Sequence, residues 1–102
     1  MIEPGPLILI VEDETSVRRS LRAILTDRGH RVVEAESAAE GAQRAREYNP
    51  DLVLLDLGLP DRDGLTVIKA LREWSLAPVI VLSARGQEDD KIRALDGGAD
   101  DY

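Results

Sequence analysis

Apolar and polar positions fall in blocks along this chain. Three short runs are continuously apolar: LILIV at Leu7–Val11, LVLL at Leu52–Leu55 and VIVL at 79–82. Each is too short for a helix, and continuity in place of alternation marks a strand covered on both faces. RVVEA at Arg31–Ala35 is a weaker fourth candidate. Helical spacing lies between the runs. From 14 to 28, Val17, Leu21, Ile24 and Leu25 form one apolar face, and Gly29 is a natural stop. Ser37 and Glu40 have the spacing of a capping box, which opens a helix of small residues ending near Tyr48. Positions 64–74 place Leu65, Ile68 and Leu71 on one face, with Asp63-Gly64 at the start. Positions 87–96 predict a fourth helix, ended by Gly97-Gly98. Strand and helix alternate four times. That order predicts an α/β domain: a doubly wound parallel sheet with right-handed crossovers and helices on both faces.

In such a sheet ligands bind outside the carboxyl ends of the strands. Glu12 and Asp13 follow the first run, Asp56 the third-strand run and Ser83 the last. Parallel strands bring all of these to one edge. Taken singly, each has an ordinary explanation. Asp13 reads as the N-cap of the first helix, Ser83 as a loop hydroxyl, and Asp56 as the point where a strand reaches water. Together they form a cluster, and an unpaired carboxylate at the end of a buried strand costs several kcal/mol unless the site uses it.

Composition narrows the chemistry. The chain has 102 residues, the size of one domain, and 43% are hydrophobic. Phe and Cys are absent, so the core is aliphatic, and disulfides and thiolate metal sites are excluded. The net charge of −7, from 20 acids against 13 bases, opposes direct binding to nucleic acid by this segment. No stretch reaches the roughly 20 apolar residues that span a bilayer, and the opening MIEPGP lacks the character of a signal peptide. A cytoplasmic location is expected. His30, after Gly29, reads as an exposed turn residue, and the EDDK run at 88–91 as a solvated helix start.

Clustered carboxylates repel, and at least one should hold its proton more tightly unless a cation is present. Oxygen ligands without His or Cys suit a hard cation, with Mg²⁺ the expected one. Such an ion would draw in a phosphoryl donor, and a carboxylate beside it can act as nucleophile to give an acyl phosphate. Asp56 is the candidate. Gly58 lets the backbone approach closely, and Pro60 stiffens the exit of the turn.

The segments LILIVEDE, DLVLLDLGLPDRDG, PVIVLSAR and GADDY resemble the receiver domain of two-component response regulators. The resemblance covers nearly the whole chain. It lies nearest the branch with a winged-helix output domain, and within that branch the regulators of potassium-transport (Kdp) operons. It implies a flavodoxin-like sheet of order 2-1-3-4-5. It implies Asp56 as phosphoacceptor, and Mg²⁺ held by Asp13, Asp56 and the Gly58 backbone carbonyl, with Glu12 acting indirectly. It implies Ser83 as the hydroxyl that contacts the phosphoryl group and Tyr102 as the aromatic switch residue. A sensor histidine kinase is the implied partner. Dimerisation on phosphorylation and DNA binding would belong to a full-length protein with an output domain, and no membrane is involved. The family also has a Lys followed by Pro after its fifth strand. The chain stops at Tyr102, so residues 1–102 are expected to form a receiver domain lacking the fifth strand and fifth helix, with no output domain. Lys69 and Lys91 lie on helices and are not assigned the Lys role. The implied function is a phosphorylation switch that modifies itself and has no metabolic substrate. The competing readings are a Mg²⁺-dependent phosphatase with an Asp nucleophile, a flavin carrier of the same architecture, and a pseudo-receiver that binds partners without phosphorylation. The first usually needs a second acid two residues on, where Gly58 stands. The second would set a phosphate against Glu12, Asp13 and Glu14.

Overall fold

The computed structural model describes residues 5–82 and residue 98. Among them the order is β1 (Leu7–Val11), α1 (Thr15–Asp27), β2 (Arg31–Ala35), α2 (Ala38–Tyr48), β3 (Leu52–Leu55), α3 (Leu65–Arg72) and β4 (Val79–Val81). All pairings are parallel and the sheet order is β2-β1-β3-β4. These are the first four places of the expected order. The fourth helix of 87–96, Ser83, Lys91 and Tyr102 lie outside the described residues.

Strand side chains alternate between two cores, as the period of two requires. Leu9, Val11, Val53, Leu55, Val79 and Val81 pack with Ala38 and Ala45 of α2 and Val67, Ile68 and Leu71 of α3. On the other face Ile8, Ile10 and Leu54 meet Leu21 and Leu25 of α1. The sheet is therefore covered by helices on both sides, which accounts for the continuous apolar runs. Ala38, Gly41 and Ala45 make the buried stripe of α2, and small side chains let that helix lie close to the sheet.

The helix ends follow local chemistry. Gly29 has φ of 87°, and the His30 and Gly29 N–H groups donate to the carbonyls of Leu25 and Thr26. That is a Schellman ending, which favours glycine at the left-handed position. Ser37 Oγ accepts from the Glu40 N–H at 3.1 Å, as the capping spacing predicts. Two expectations need correction. His30 is half-buried, with Nδ1 enclosed, because its backbone is tied under α1 by that ending. Ile24 is 55% exposed. The helix turns Leu21 and Leu25 onto the sheet and leaves Ile24 on its flank; the one buried residue of α1 is Arg18.

Candidate functional site

The register fixes what the carboxyl edge presents. Val11 is paired with Ala35 and Leu55, and Leu55 with Val81. The ladder runs one residue further: Glu12 N–H donates to Ala35 O at 3.0 Å, Asp56 N–H to Val11 O at 2.9 Å and Leu82 N–H to Leu55 O at 2.8 Å. Glu12 and Asp56 thus leave adjacent strands at one level, held by the last rungs of the sheet. One carboxylate oxygen from each of Glu12, Asp13 and Asp56 lies within 4.8 Å of the others. Glu12 is buried, Asp56 half-buried and Asp13 exposed.

Asp13 does not cap α1. The N-cap is Glu14, which makes no side-chain cap bond. Asp13 is left facing the cluster, and the ordinary explanation for it falls away. Glu12 Oε1 accepts from Glu14 N–H at 3.0 Å, and Asp56 Oδ1 from Gly58 N–H at 3.0 Å. Gly58 is thus drawn to the phosphoacceptor candidate through its N–H. The expected rise in proton affinity falls on Glu12. Burial above all pushes its carboxyl from 4.5 up to about 7; the Glu14 N–H, next in size, opposes the rise, and the charge of Asp56 and the hydrogen bond and charge of Asp13 add to it.

The donor set fits a hard divalent cation: three converging carboxylates, all oxygen, with one kept partly protonated by burial and, to a smaller degree, by the neighbouring acids, a burden that a cation would relieve. Among the described residues it is the one group of three or more His, Cys, Asp or Glu side chains so arranged.

The loop from β3 to α3 is built to hold Asp56 still. Leu57 packs against the α2–α3 core, which is why the sequence returns to Leu after the carboxylate, and Leu59 is buried. A Cβ on Gly64 would stand 2.7 Å from the Asp56 carbonyl oxygen and 2.8 Å from Leu57 Cα. Only glycine admits that approach of α3 to the loop. Asp63 Oδ1 accepts from Leu65 N–H at 3.0 Å and starts α3.

Two further residues serve the site and are not evident from sequence. Asp61 accepts from the N–H groups of Ala38 at 2.8 Å and Ala39 at 3.0 Å, so the Asp56 loop is stapled to the first turn of α2. Those two N–H groups, Ala38 first, hold its carboxyl below the usual 3.8. Asp61→Ala is expected to melt below the wild type at neutral pH. A lowered folded-state pKa gives stability that is present above 3.8 and is lost as the pH falls through the lower folded value. The two melting curves should therefore converge in acid. A constant gap across that range would remove Asp61 as the staple. The second residue is Arg18, whose guanidinium reaches the carbonyls of Glu12 and Asp13 at 2.9 and 3.1 Å. An Arg placed three residues before Leu21, inside an apolar helix face, is the signal that could have revealed it.

The chain matches the response regulator receiver domain family over residues 8–102. It is 59% identical over 95 residues to the KDP operon transcriptional regulatory protein KdpE of Escherichia coli, covering 93% of this chain and 42% of that protein. It is 43% identical over 96 residues to the transcriptional regulatory protein PhoP of Escherichia coli, covering 93% of this chain and 43% of that protein. The chain therefore spans about two fifths of these relatives. Among solved structures, the BeF3-activated N-terminal receiver domain of Klebsiella pneumoniae RstA superposes with a TM-score of 0.89 at 32% identity, covering 94% of this chain and 82% of that one. A CheY-like receiver domain protein of Methanospirillum hungatei superposes with a TM-score of 0.90 at 29% identity, covering 96% and 79%.

Proposed function

Because the chain belongs to the response regulator receiver domain family, we propose that it is a phosphorylation-activated switch that takes a phosphoryl group onto Asp56. The observation that carries this reading is the meeting of Glu12, Asp13 and Asp56 within 4.8 Å at the carboxyl edge of the sheet. In the proposed reaction an Asp56 carboxylate oxygen attacks phosphorus. The bond from phosphorus to its donor breaks, and an acyl phosphate forms. A sensor histidine kinase is the donor, through a phosphohistidine. Gly58 N–H fixes one oxygen of the Asp56 carboxylate, and the α3 loop limits the travel of its backbone.

Asp13, Asp56 and the Gly58 carbonyl would hold Mg²⁺, with Glu12 behind them. The ion, when bound, supplies positive charge against the phosphoryl oxygens. Ser83 and Tyr102 carry the contact and switch roles that the family motif gives them. The chain modifies itself and turns over no metabolic substrate. Its relatives are transcriptional regulators. By that likeness this segment is the receiving part of a cytoplasmic regulator that dimerises on phosphorylation and reaches DNA through a separate output domain.

The test is intact mass after incubation with acetyl phosphate. The protein is expected to gain one phosphoryl group in Mg²⁺ and none in EDTA. An equal gain in both would remove the cation from the reaction, and no gain in either would remove the switch.

A further inference from the structure

We propose that Arg18 is a positioning residue for the acidic pair: its buried guanidinium grips the backbone of Glu12 and Asp13 and sets the spacing at which their carboxylates take a divalent cation. This rests on the reading of the cluster as a Mg²⁺ site. Arg18 is the fourth residue of α1, closing its first turn, and helical side chains lean toward the N-terminus. That lean carries the guanidinium back over the turn that joins β1 to α1. There Nη1 donates to Glu12 O at 2.9 Å and to Asp13 O at 3.1 Å. Nη2 donates to Thr15 Oγ1 at 3.4 Å and to Glu36 Oε1 at 3.0 Å, and Nε stands 3.5 Å from Glu34 Oε1. Arg18 is only 7% exposed.

The planar fork can span this set because its donors are fixed in direction; an ammonium on a flexible stem cannot. The turn needs such a clamp. Its N-cap residue, Glu14, makes no side-chain cap bond to the helix N–H groups, and the turn must hold two adjacent acids whose charges oppose one another. Arg18 acts on the main chain, so it orders both carboxylates without occupying either. The other end of the guanidinium rests on Glu34 and Glu36, at and just beyond the end of β2, which ties the acidic turn to the neighbouring strand.

The rival explanation is that Arg18 only fastens α1 to β2. Arg22 separates the two, since it pairs with the same Glu34 at 2.9 Å from the solvent side. Leu25 separates affinity from stability, since it packs into the core on the α1 face of the sheet. The experiment titrates Mg²⁺ into the full-length protein by calorimetry, for wild type, Arg18→Ala, Arg18→Lys, Arg22→Ala and Leu25→Ala, with melting curves in EDTA beside each. Arg18→Ala is expected to bind Mg²⁺ about tenfold more weakly, the loss usual when the group that orients a metal ligand is removed. Arg18→Lys should fall between it and the wild type, and it carries the test if the alanine variant does not fold. Arg22→Ala and Leu25→Ala should keep wild-type affinity, the latter despite a lower melting temperature. If Arg18→Lys binds as the wild type does, or if affinity follows melting temperature across all the variants, the inference is overturned while the proposed function stands. A wild type that takes up no Mg²⁺ overturns both.

Discussion

Asp56→Asn is expected to end phosphorylation by acetyl phosphate while leaving the fold in place. Asparagine offers no anionic oxygen to attack phosphorus, so the nucleophile is lost. It keeps a carbonyl oxygen in the same position, so the bond from Gly58 N–H, 3.0 Å long in the wild type, can persist. It also removes one of the charges that burden Glu12. The variant should therefore melt no lower than the wild type in EDTA, and the loss would then report chemistry rather than unfolding. The neighbouring acids provide the controls. Asp61 is committed to the N–H groups of Ala38 and Ala39, and Asp63 to Leu65 N–H. Both carboxylates serve helix starts, and neither belongs to the cluster. Asp61→Asn and Asp63→Asn should still gain one phosphoryl group. Intact mass over a time course decides the matter. An Asp56→Asn protein that gains the same mass at the wild-type rate would place the acceptor elsewhere.

The sheet and the cluster were legible for one shared reason. A strand covered on both faces must be apolar throughout, so LILIV, LVLL and VIV declare themselves, and parallel pairing then sends everything after them to one edge. Glu12, Asp13 and Asp56 follow from that geometry before any distance is known. The boundaries of α1 and α3 came out a residue or two shorter than the periodicity, because the flanking residues close turns: Glu14 and Arg28 stand as caps, and Trp74 N–H donates to Leu71 O at 3.1 Å. What sequence could not reveal were contacts between distant residues. Asp61 looks like any solvated loop acid until α2 is placed beside it. Arg18 interrupts the apolar face of a helix that also carries Arg19 and Arg22, which sets it apart but names no partner for it. Its role depends on the guanidinium folding back along the axis, which spacing alone does not encode. The apolar stripe misled at Ile24 for a related reason. Four apolar positions fit one face in projection, but the sheet takes only the part that Leu21 and Leu25 occupy.

Glu12→Gln is expected to stabilise the metal-free protein at alkaline pH and to weaken its response to Mg²⁺. The wild-type carboxyl sits at about 7 in the folded protein against an ordinary 4.5. Between those values the folded state holds a proton that the unfolded chain has released. Stability from this group is therefore fully present below about 4.5 and is lost as the pH rises through about 7. Above that range the buried charge is uncompensated and opposes Asp56 and Asp13. Glutamine keeps the shape and an oxygen to accept from Glu14 N–H, but it has nothing to ionise. The gap between variant and wild type in EDTA should be near zero in acid, open across this window, and level off at about 3 kcal/mol, since the carboxyl rises from 4.5 to about 7 and each pKa unit is worth about 1.4 kcal/mol. Other groups titrate too, but they do so in both proteins, so the difference isolates Glu12. A divalent cation removes the penalty by supplying the missing positive charge, and any ligand of the native state alone raises its stability. Mg²⁺ should thus stabilise the wild type more as the pH rises through the window, with a proton released on binding at its acid end. The variant should gain less at every pH. Melting curves across this range, with and without Mg²⁺, measure both effects. Parallel profiles for the two proteins would show that Glu12 ionises freely in the fold, and the repulsion among the three carboxylates would not be the feature that prepares this edge for a cation.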